Sequence, residues 1–143
     1  RNTRINGIET YTLNLAKTKD AKRVAARENA VDPKQISDLQ YILTDLMLGS
    51  KLKESTDLAA SVQARMVTSL RKNWKVNDHG VREAPFYVLM GAKMPAVLIE
   101  TGYMSNATER GRLKSDYYRK FLAQGIVEGV LDYKHQIESF AGG

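Results

Sequence analysis

Two hydrophobic periods alternate along this chain, and this alternation constrains the fold more than any other feature. The runs Phe86-Tyr87-Val88-Leu89-Met90 and Ala96-Val97-Leu98-Ile99 are short, continuously apolar and bounded by proline and glycine, a pattern typical of fully buried central strands. Other segments repeat apolar residues every three or four positions, as amphipathic helices do. Strands that alternate with helices predict a layered α/β domain, with a mostly parallel, twisted sheet flanked by helices.

The remaining predicted elements cover most of the chain. Gly7 to Leu13 is rich in β-branched and aromatic residues, which predicts a strand. Asp32-Pro33-Lys34-Gln35 contains the residue types that begin a helix, with Asp32 as the cap and Gln35 in the reciprocal capping position. Helices are predicted at Lys17 to Ala30, from Asp32 to before Gly49, from about Ser55 through Leu70, from Asn106 with Glu109 as its capping partner, and from Ser115 to about Tyr133.

The composition limits the size of the domain and excludes some classes of function. With 143 residues, of which 43% are hydrophobic, the chain can bury one core, and we expect one domain without a linker. The absence of cysteine excludes a disulfide framework and a thiolate nucleophile. No apolar run is long enough to span a membrane, and the sequence contains no G-x-S-x-G elbow or phosphate-binding glycine loop.

The positive charge of the chain favours polyanionic partners. A formal net charge of +6 suits either nucleic acid or the anionic polymers of a cell envelope. Lysines and arginines cluster at residues 17–23 and 110–114, so a basic nucleic-acid-binding domain is one interpretation. No recognised nucleic-acid-reading motif accompanies these clusters. We therefore interpret them as solvated helix faces and expect no nucleic-acid partner.

Glu100 is a charged residue that directly follows the apolar run at 96–99. Ligands of open α/β sheets bind beyond the carboxyl ends of the strands, so we expect Glu100 to lie in such a crevice. A carboxylate that is partly desolvated by the strand behind it has a raised pKa and can act as a general base near neutral pH. The alternative is a structural role, in which Glu100 caps a loop or pairs with a lysine.

Several short motifs follow one another between Gly7 and Asn106. They are Gly7-Ile8-Glu9-Thr10-Tyr11, Arg27-Glu28-Asn29-Ala30, Ser55 to Gln63, Gly80 to Leu89, and Met94 to Asn106 (MPAVLIETGYMSN). In this order they resemble the GxETY, EN, S-x-x-LA-x-x-VQ, GV-x-x-A-x-F-x-VL and MPAVLVE-x-GF-x-SN motifs of the zinc-dependent N-acetylmuramoyl-L-alanine amidases of bacterial cell walls, the amidase_3 family. The last motif is highly specific. The resemblance extends from Gly7 to about Tyr133 and is weakest between Val31 and Lys53.

This resemblance implies a peptidoglycan hydrolase. Such an enzyme cleaves the amide between the lactyl group of N-acetylmuramic acid and the L-alanine of the stem peptide. Glu100 matches the catalytic glutamate of the family, which takes a proton from a zinc-polarised water and passes it to the leaving amine. Glu9 is expected to line the same end of the sheet and to contact substrate. A periplasmic or extracellular location follows from the substrate.

The zinc ligands of the family are two histidines and a glutamate that precede the GxETY motif. This chain contains only His79 and His135, which are far apart, and no HExxH or similar spacing. We therefore expect zinc as the cofactor of the complete domain, with no metal ligand in this chain. Residues 1–143 are then the C-terminal part of one amidase catalytic domain. The alternative is a non-catalytic wall-binding or regulatory remnant that lacks the zinc ligands.

Two further segments carry open hypotheses. His79 stands where the family usually has arginine, so it either contacts substrate carboxylates and titrates near neutral pH or is a tolerated loop substitution. The predicted helix at 33–48 lies where some amidases of the family carry a helix that covers the zinc site until a partner removes it. An activator protein acting on this helix is one interpretation, and simple packing on the domain is the other.

Overall fold

The computed structural model describes residues 3–15, 18–36 and 51–141. None of the helices in these residues has the length and apolar character needed to cross a membrane. The elements in chain order are strand β1 (Ile8–Leu13), helix α1 (Lys19–Glu28), helix α2 (Leu52–Arg71), strand β2 (Asp78–Ala84), a 3-10 turn (Tyr87–Leu89), strand β3 (Leu98–Glu100), helix α3 (Ala107–Lys114) and helix α4 (Asp116–Ala141).

Within the described residues, strand β1 is the centre of a three-stranded sheet with the order β2-β1-β3. All of its residues are buried, because it has a neighbour along both edges and helices over both faces. Strand β2 is parallel to β1, and β3 is antiparallel to it. The predicted α/β fold is confirmed, but the sheet is mixed rather than mostly parallel. Residues 85–97 link β2 to β3 without an α-helical crossover, so β3 runs back along β1 in the opposite direction.

Both outer strands differ from the prediction. β2 forms from the polar segment Asp78–Ala84, whose side chains are mostly exposed or half-buried, so it has no apolar run that sequence analysis could detect. The run at 96–99 predicts a central, fully buried strand. The structure instead has Leu98–Glu100 as a half-buried edge strand. An edge strand has a neighbour on one side only, which explains its partial exposure.

The apolar run at 86–90 does not form the predicted strand. Tyr87–Leu89 form a single 3-10 turn instead, with Phe86 and Leu89 buried. The side chain of Asn29 holds this turn: its Nδ2 donates to the carbonyl of Pro85 (2.8 Å) and its Oδ1 accepts from the amide of Tyr87 (2.9 Å). The prediction was wrong because a short apolar run does not distinguish a strand from another buried segment.

Two apolar clusters lie on opposite faces of the sheet, because successive side chains of β1 point to opposite sides. On one face, Tyr11 packs against α1 and against Phe86, with the two rings edge to face at 5.0 Å. On the other face, Ile8 packs with residues of α2 and α4, which are Val62, Met66, Val67, Leu70, Tyr118 and Leu122. The domain therefore has three layers: α1, the sheet, and the α2–α4 pair.

Two polar residues of the predicted Ser55 to Gln63 motif attach α2 to the rest of the domain. The buried Gln63 accepts from Thr10 Oγ1 (2.8 Å) and donates from Nε2 to the carbonyl of Ile8 (3.1 Å). Ser55 Oγ accepts from the amide of Ala96 at 3.0 Å, just before β3. These bonds satisfy buried polar groups and set the helix against β1 and the approach to β3.

Helices α2 and α4 approach each other closely at two glycines of α4. A Cβ atom added at Gly129 would lie 2.4 Å from Val62 Cα, and one added at Gly125 would lie 2.7 Å from Met66 Cα. Both of these neighbouring atoms belong to the backbone, which cannot rotate away as a side chain can. The absence of a side chain at these two positions therefore sets the distance between the helices.

The predicted helix start at Asp32 is confirmed. Residues 33–36 are helical, Asp32 Oδ1 accepts from the amide of Lys34 (2.8 Å), and Gln35 Oε1 accepts from the amide of Asp32 (3.0 Å). This is the reciprocal capping arrangement that the residue types predict. Ile36 is fully buried in the cluster beneath α1. The rest of the predicted helix, from residue 37 to 48, lies outside the described residues.

Candidate active site

Glu100 is the last residue of β3 and pairs directly with Glu9 of β1. Residues paired in this way project their side chains on the same face of a sheet, so the two carboxylates are neighbours, as predicted for Glu9. Because β3 is antiparallel, its carboxyl end lies beside the amino end of β1. Glu100 is at the carboxyl end of its own strand, as expected, but it does not lie beside the carboxyl ends of β1 and β2. A ligand crevice at this end of the sheet stays a prediction.

The electrostatic surroundings of Glu100 favour its protonated form. Burial is the main cause of a pKa raised above the ordinary glutamate value, and the negative charge of Glu28 raises it further. The positive charge of Arg27 acts in the opposite direction, and Glu9 adds a smaller increase. Arg27 and Glu28 form an ion pair of 2.6 Å at the end of α1, so the guanidinium that acts on Glu100 is paired with another carboxylate. A half-buried carboxyl with a raised pKa has the properties of a general base.

Glu9 is held by protein groups rather than presented to a ligand. The hydroxyl of Tyr103 donates to Glu9 Oε1 at 2.6 Å, and Arg82 Nε lies 3.1 Å from Oε2. Only 5% of the Glu9 side chain is exposed. Burial, followed by the charge of Glu9, raises the pKa of Tyr11 to about 12, and burial also raises the pKa of Tyr103. Both tyrosines therefore keep their protons at neutral pH and remain hydrogen-bond donors.

A second buried carboxylate, Glu109, anchors the loop that follows Glu100. Its Oε2 accepts from the amide of Tyr103 and its Oε1 accepts from the amide of Gly7, both at 2.7 Å. Asn106 caps α3 as predicted, because its Oδ1 accepts from the amides of Thr108 (3.0 Å) and Glu109 (3.2 Å). The predicted reciprocal capping by Glu109 is not what the structure shows. Its carboxylate instead joins the loop after β3 to the start of β1.

His79 lies at the start of β2, at the same end of the sheet as Glu9 and Glu100. Its Nε2 donates to the carbonyl of Asn6 at 2.7 Å, and its ring lies edge to face with Tyr103 at 6.3 Å. The imidazole therefore helps to hold the segment that leads into β1. His135 lies apart from this site, exposed on α4 with Glu138 as its neighbour.

The arginines of the basic cluster at 110–114 have intramolecular partners. Arg110 donates to the carbonyl of Met104 (2.8 Å) and Arg112 to the carbonyl of Lys75 (3.1 Å). These contacts stabilise loops next to α3.

The side chains described here do not make up a zinc site. Within residues 3–15, 18–36 and 51–141, no group of three histidine, cysteine, aspartate or glutamate side chains is placed to hold a metal ion. Glu9 and Glu100 supply carboxylates, but the nearby imidazole of His79 is engaged with Asn6. The donor set therefore does not fit the metal that the family resemblance implies.

Three residues of this site were missed by sequence analysis: Arg82, Tyr103 and Glu109. Tyr103 belongs to the quoted MPAVLIETGYMSN segment, so its position in that motif was an available signal. Arg82 lies in a strand that the sequence did not predict, and the Glu109 carboxylate accepts from Gly7, which is distant in sequence. Neither of these two had a local signal.

Known proteins resemble this chain in sequence and in fold. A sequence model described as N-acetylmuramoyl-L-alanine amidase matches residues 1–132. The probable cell wall amidase LytH of Staphylococcus saprophyticus is 30% identical over 145 residues, covering 87% of this chain and 49% of LytH. The crystal structure of an N-acetylmuramoyl-L-alanine amidase from Clostridium difficile 630 superimposes with a TM-score of 0.60 at 29% identity, covering 92% of this chain and 50% of that one.

A further solved structure shows the same fold. It is the CwlD amidase from Clostridioides difficile in complex with the GerS lipoprotein, with a TM-score of 0.60, 18% identity, and coverage of 93% of this chain and 48% of that one. The chain therefore spans about half the length of these relatives.

Proposed function

Because the chain belongs to the N-acetylmuramoyl-L-alanine amidase family, we propose that the protein containing it cleaves the amide between N-acetylmuramic acid and the L-alanine of peptidoglycan stem peptides. The observation that carries this proposal is Glu100, a half-buried carboxyl with a raised pKa at the end of β3. It stands in the segment that resembles the most specific motif of the family.

Glu100 acts as the proton carrier in this reaction. Its ionised carboxylate takes a proton from the water whose oxygen attacks the amide carbonyl carbon. When the carbon–nitrogen bond breaks, the protonated Glu100 returns that proton to the leaving nitrogen of L-alanine. Zinc is the cofactor we expect in the complete domain, with ligands from outside the residues described here. Glu9 and His79 lie at the same end of the sheet as Glu100.

The substrate and the charge of the protein are compatible with the bacterial envelope. We propose a periplasmic or extracellular location, since peptidoglycan is found there. The net charge of +6 favours association with the anionic polymers of the wall.

A digest of purified peptidoglycan tests the proposed bond. The intact protein should release stem peptides with a free N-terminal L-alanine and leave the glycan strands at their original length, both measured by mass spectrometry. Cleavage within the peptide or the glycan would contradict the proposal. Binding to peptidoglycan without release of peptides, with zinc supplied, would favour the alternative of a non-catalytic wall-binding protein.

As the pH is lowered, the rate of hydrolysis should begin to fall at a pH above the ordinary carboxyl range. Glu100 is a base only when ionised, and its raised pKa moves the loss of the ionised form to higher pH. The measurement is kcat against pH for the parent and for His79→Arg, since arginine does not titrate in this range. If the acid limb of the pH–rate profile stays in place in His79→Arg, it does not come from His79, and we assign it to Glu100. A limb that disappears in this variant belongs to His79.

We propose that the segment at 33–48 restrains the enzyme until an activator protein binds. The complex of the similarly folded CwlD with the GerS lipoprotein supports a protein partner. Deleting residues 37–48 while keeping the buried Ile36 should raise the basal hydrolysis rate severalfold, measured without any partner. An unchanged or lost rate in a folded variant would count against this restraint.

A further inference from the structure

We propose that Glu9 is a positioning residue for Glu100, which holds the loop after β3 through Tyr103 and places a second negative charge beside Glu100. This inference rests on the proposed function of Glu100. It assigns Glu9 a role different from the substrate contact predicted by sequence analysis.

The loop that follows Glu100 is attached to β1 and to α3 through Tyr103. Tyr103 is bound at two points: its hydroxyl donates to Glu9 Oε1 at 2.6 Å, and its amide donates to Glu109 Oε2 at 2.7 Å. Glu109 in turn accepts from the amide of Gly7 at 2.7 Å. Both connections end on β1 or on the residue before it. The position of the chain just beyond Glu100 is therefore set relative to β1 by two carboxylates.

The space around Gly102 allows little adjustment of this loop. Gly102 has φ +148, and a Cβ atom there would lie 3.3 Å from Glu109 Oε2. Loss of the hydrogen bond between Tyr103 and Glu9 is therefore expected to shift the end of β3, because only Thr101 and Gly102 separate Tyr103 from Glu100 and Gly102 packs closely against Glu109.

Glu9 is almost inaccessible to a substrate. Its side chain is 5% exposed and Oε1 accepts from the Tyr103 hydroxyl. Oε2 lies at ion-pair distance, 3.1 Å, from Arg82 Nε and accepts no hydrogen bond from the described residues. Glu100, in contrast, is only half-buried. The two paired glutamates thus differ in access, and the accessible one is suited to chemistry while the enclosed one is suited to support.

Glu9 also places a negative charge near Glu100. The charged groups that act on Glu100 are Glu9 from β1 and Arg27 and Glu28 from α1. Arg82 from β2, with Tyr11 and Tyr103, surrounds Glu9 itself. Replacing Glu9 by glutamine removes one negative charge and leaves the Arg82 guanidinium without this carboxylate. Removal of the Glu9 charge favours the ionised form of Glu100 and lowers its pKa.

The test compares Glu9→Gln and Tyr103→Phe in the intact protein, with purified peptidoglycan as substrate. We expect Glu9→Gln to reduce kcat about tenfold or more with little change in KM, because the Tyr103 hydroxyl then donates to a neutral amide oxygen, a weaker bond than one to a carboxylate. Its acid limb should move to lower pH. Tyr103→Phe should reduce kcat similarly and leave the acid limb in place, because the charge of Glu9 remains. The double variant should lose little more than the larger single loss.

Glu128→Gln serves as the matched control, since Glu128 is half-buried on α4, accepts a hydrogen bond from Gln124 one helical turn away, and is not among the groups that act on Glu100. It should retain the parent kcat and pH profile. A raised KM with unchanged kcat in Glu9→Gln would overturn the inference in favour of substrate contact, and so would an unchanged kcat with an unmoved limb. If Glu9→Gln fails to fold, an unchanged kcat in Tyr103→Phe would overturn the inference.

A measurement without turnover separates this inference from the proposed function. Titration of the Glu100 carboxyl carbon by NMR should give a lower pKa in Glu9→Gln than in the parent. An equal pKa in the two proteins would overturn the inference even in an active enzyme. Conversely, a parent protein that releases no stem peptide would contradict the proposed function, whatever the titration shows.

Discussion

Glu100→Gln should reduce the release of stem peptides from purified peptidoglycan by at least about a hundredfold, the lower range for loss of a general acid–base group. Glutamine has nearly the same shape as glutamate, but it can neither accept the proton of the attacking water nor return it to the leaving nitrogen. The measurement is kcat for the intact protein at the pH optimum of the parent. Glu128→Gln, which makes the same chemical change at a half-buried position of α4, should keep the parent rate.

The stability of Glu100→Gln distinguishes a catalytic from a structural role. The folded pKa of Glu100 is raised, so the folded state binds its proton more tightly than the unfolded state, and the ionised carboxylate destabilises the fold as pH rises through that pKa. Glutamine removes this penalty, so the Tm at pH 7 should equal or exceed that of the parent. The difference should vanish at acid pH, where Glu100 is protonated. A large fall in Tm at pH 7 would indicate a structural carboxylate, and a retained rate would remove Glu100 from the mechanism.

Gly129→Ala should lower the free energy of unfolding by about 1 to 3 kcal/mol, the usual cost of overpacking. Alanine is the better helix former, but its Cβ would lie 2.4 Å from the Cα of Val62 on α2. The neighbour is backbone, so α2 and α4 must move apart and lose part of the apolar contact that covers Ile8. The measurement is urea unfolding of the intact protein monitored by circular dichroism.

Gly111→Ala is the matched control for this prediction. Gly111 lies in α3, and a Cβ atom there would meet nothing within 4 Å. The same substitution should therefore stabilise the protein by up to about 1 kcal/mol through helix propensity alone. Opposite signs for the two variants support the close approach of α2 and α4, whereas stabilisation by both would contradict it.

Local signals in the sequence identified much of the framework. The capping residues Asp32 and Asn106 form the predicted bonds, because a cap depends only on residues within one helical turn. The longer helices were detected because an apolar stripe repeats over many residues. The membership of the family was identifiable from the order of short motifs, and Glu100 was a candidate because it follows an apolar run within one of them.

Contacts between distant residues explain what the sequence did not reveal. The close approach of α2 and α4 has one signal in the sequence, which is the four-residue spacing of Gly125 and Gly129 on one face of a helix. The polar strand β2 had none, because it forms through hydrogen bonds to β1 rather than by burying an apolar face of its own.

The sequence by itself determined the α/β class, the family and the identity of the candidate base, since these depend on composition, periodicity and motifs along the chain. Only the tertiary structure decided the direction of β3 and the surroundings of Glu100. The antiparallel pairing places Glu9 beside it, and the fold brings Arg27, Glu28 and Tyr103 to the same face. Charges and burial act through space, so the pKa of Glu100 depends on neighbours that the linear order of residues does not specify.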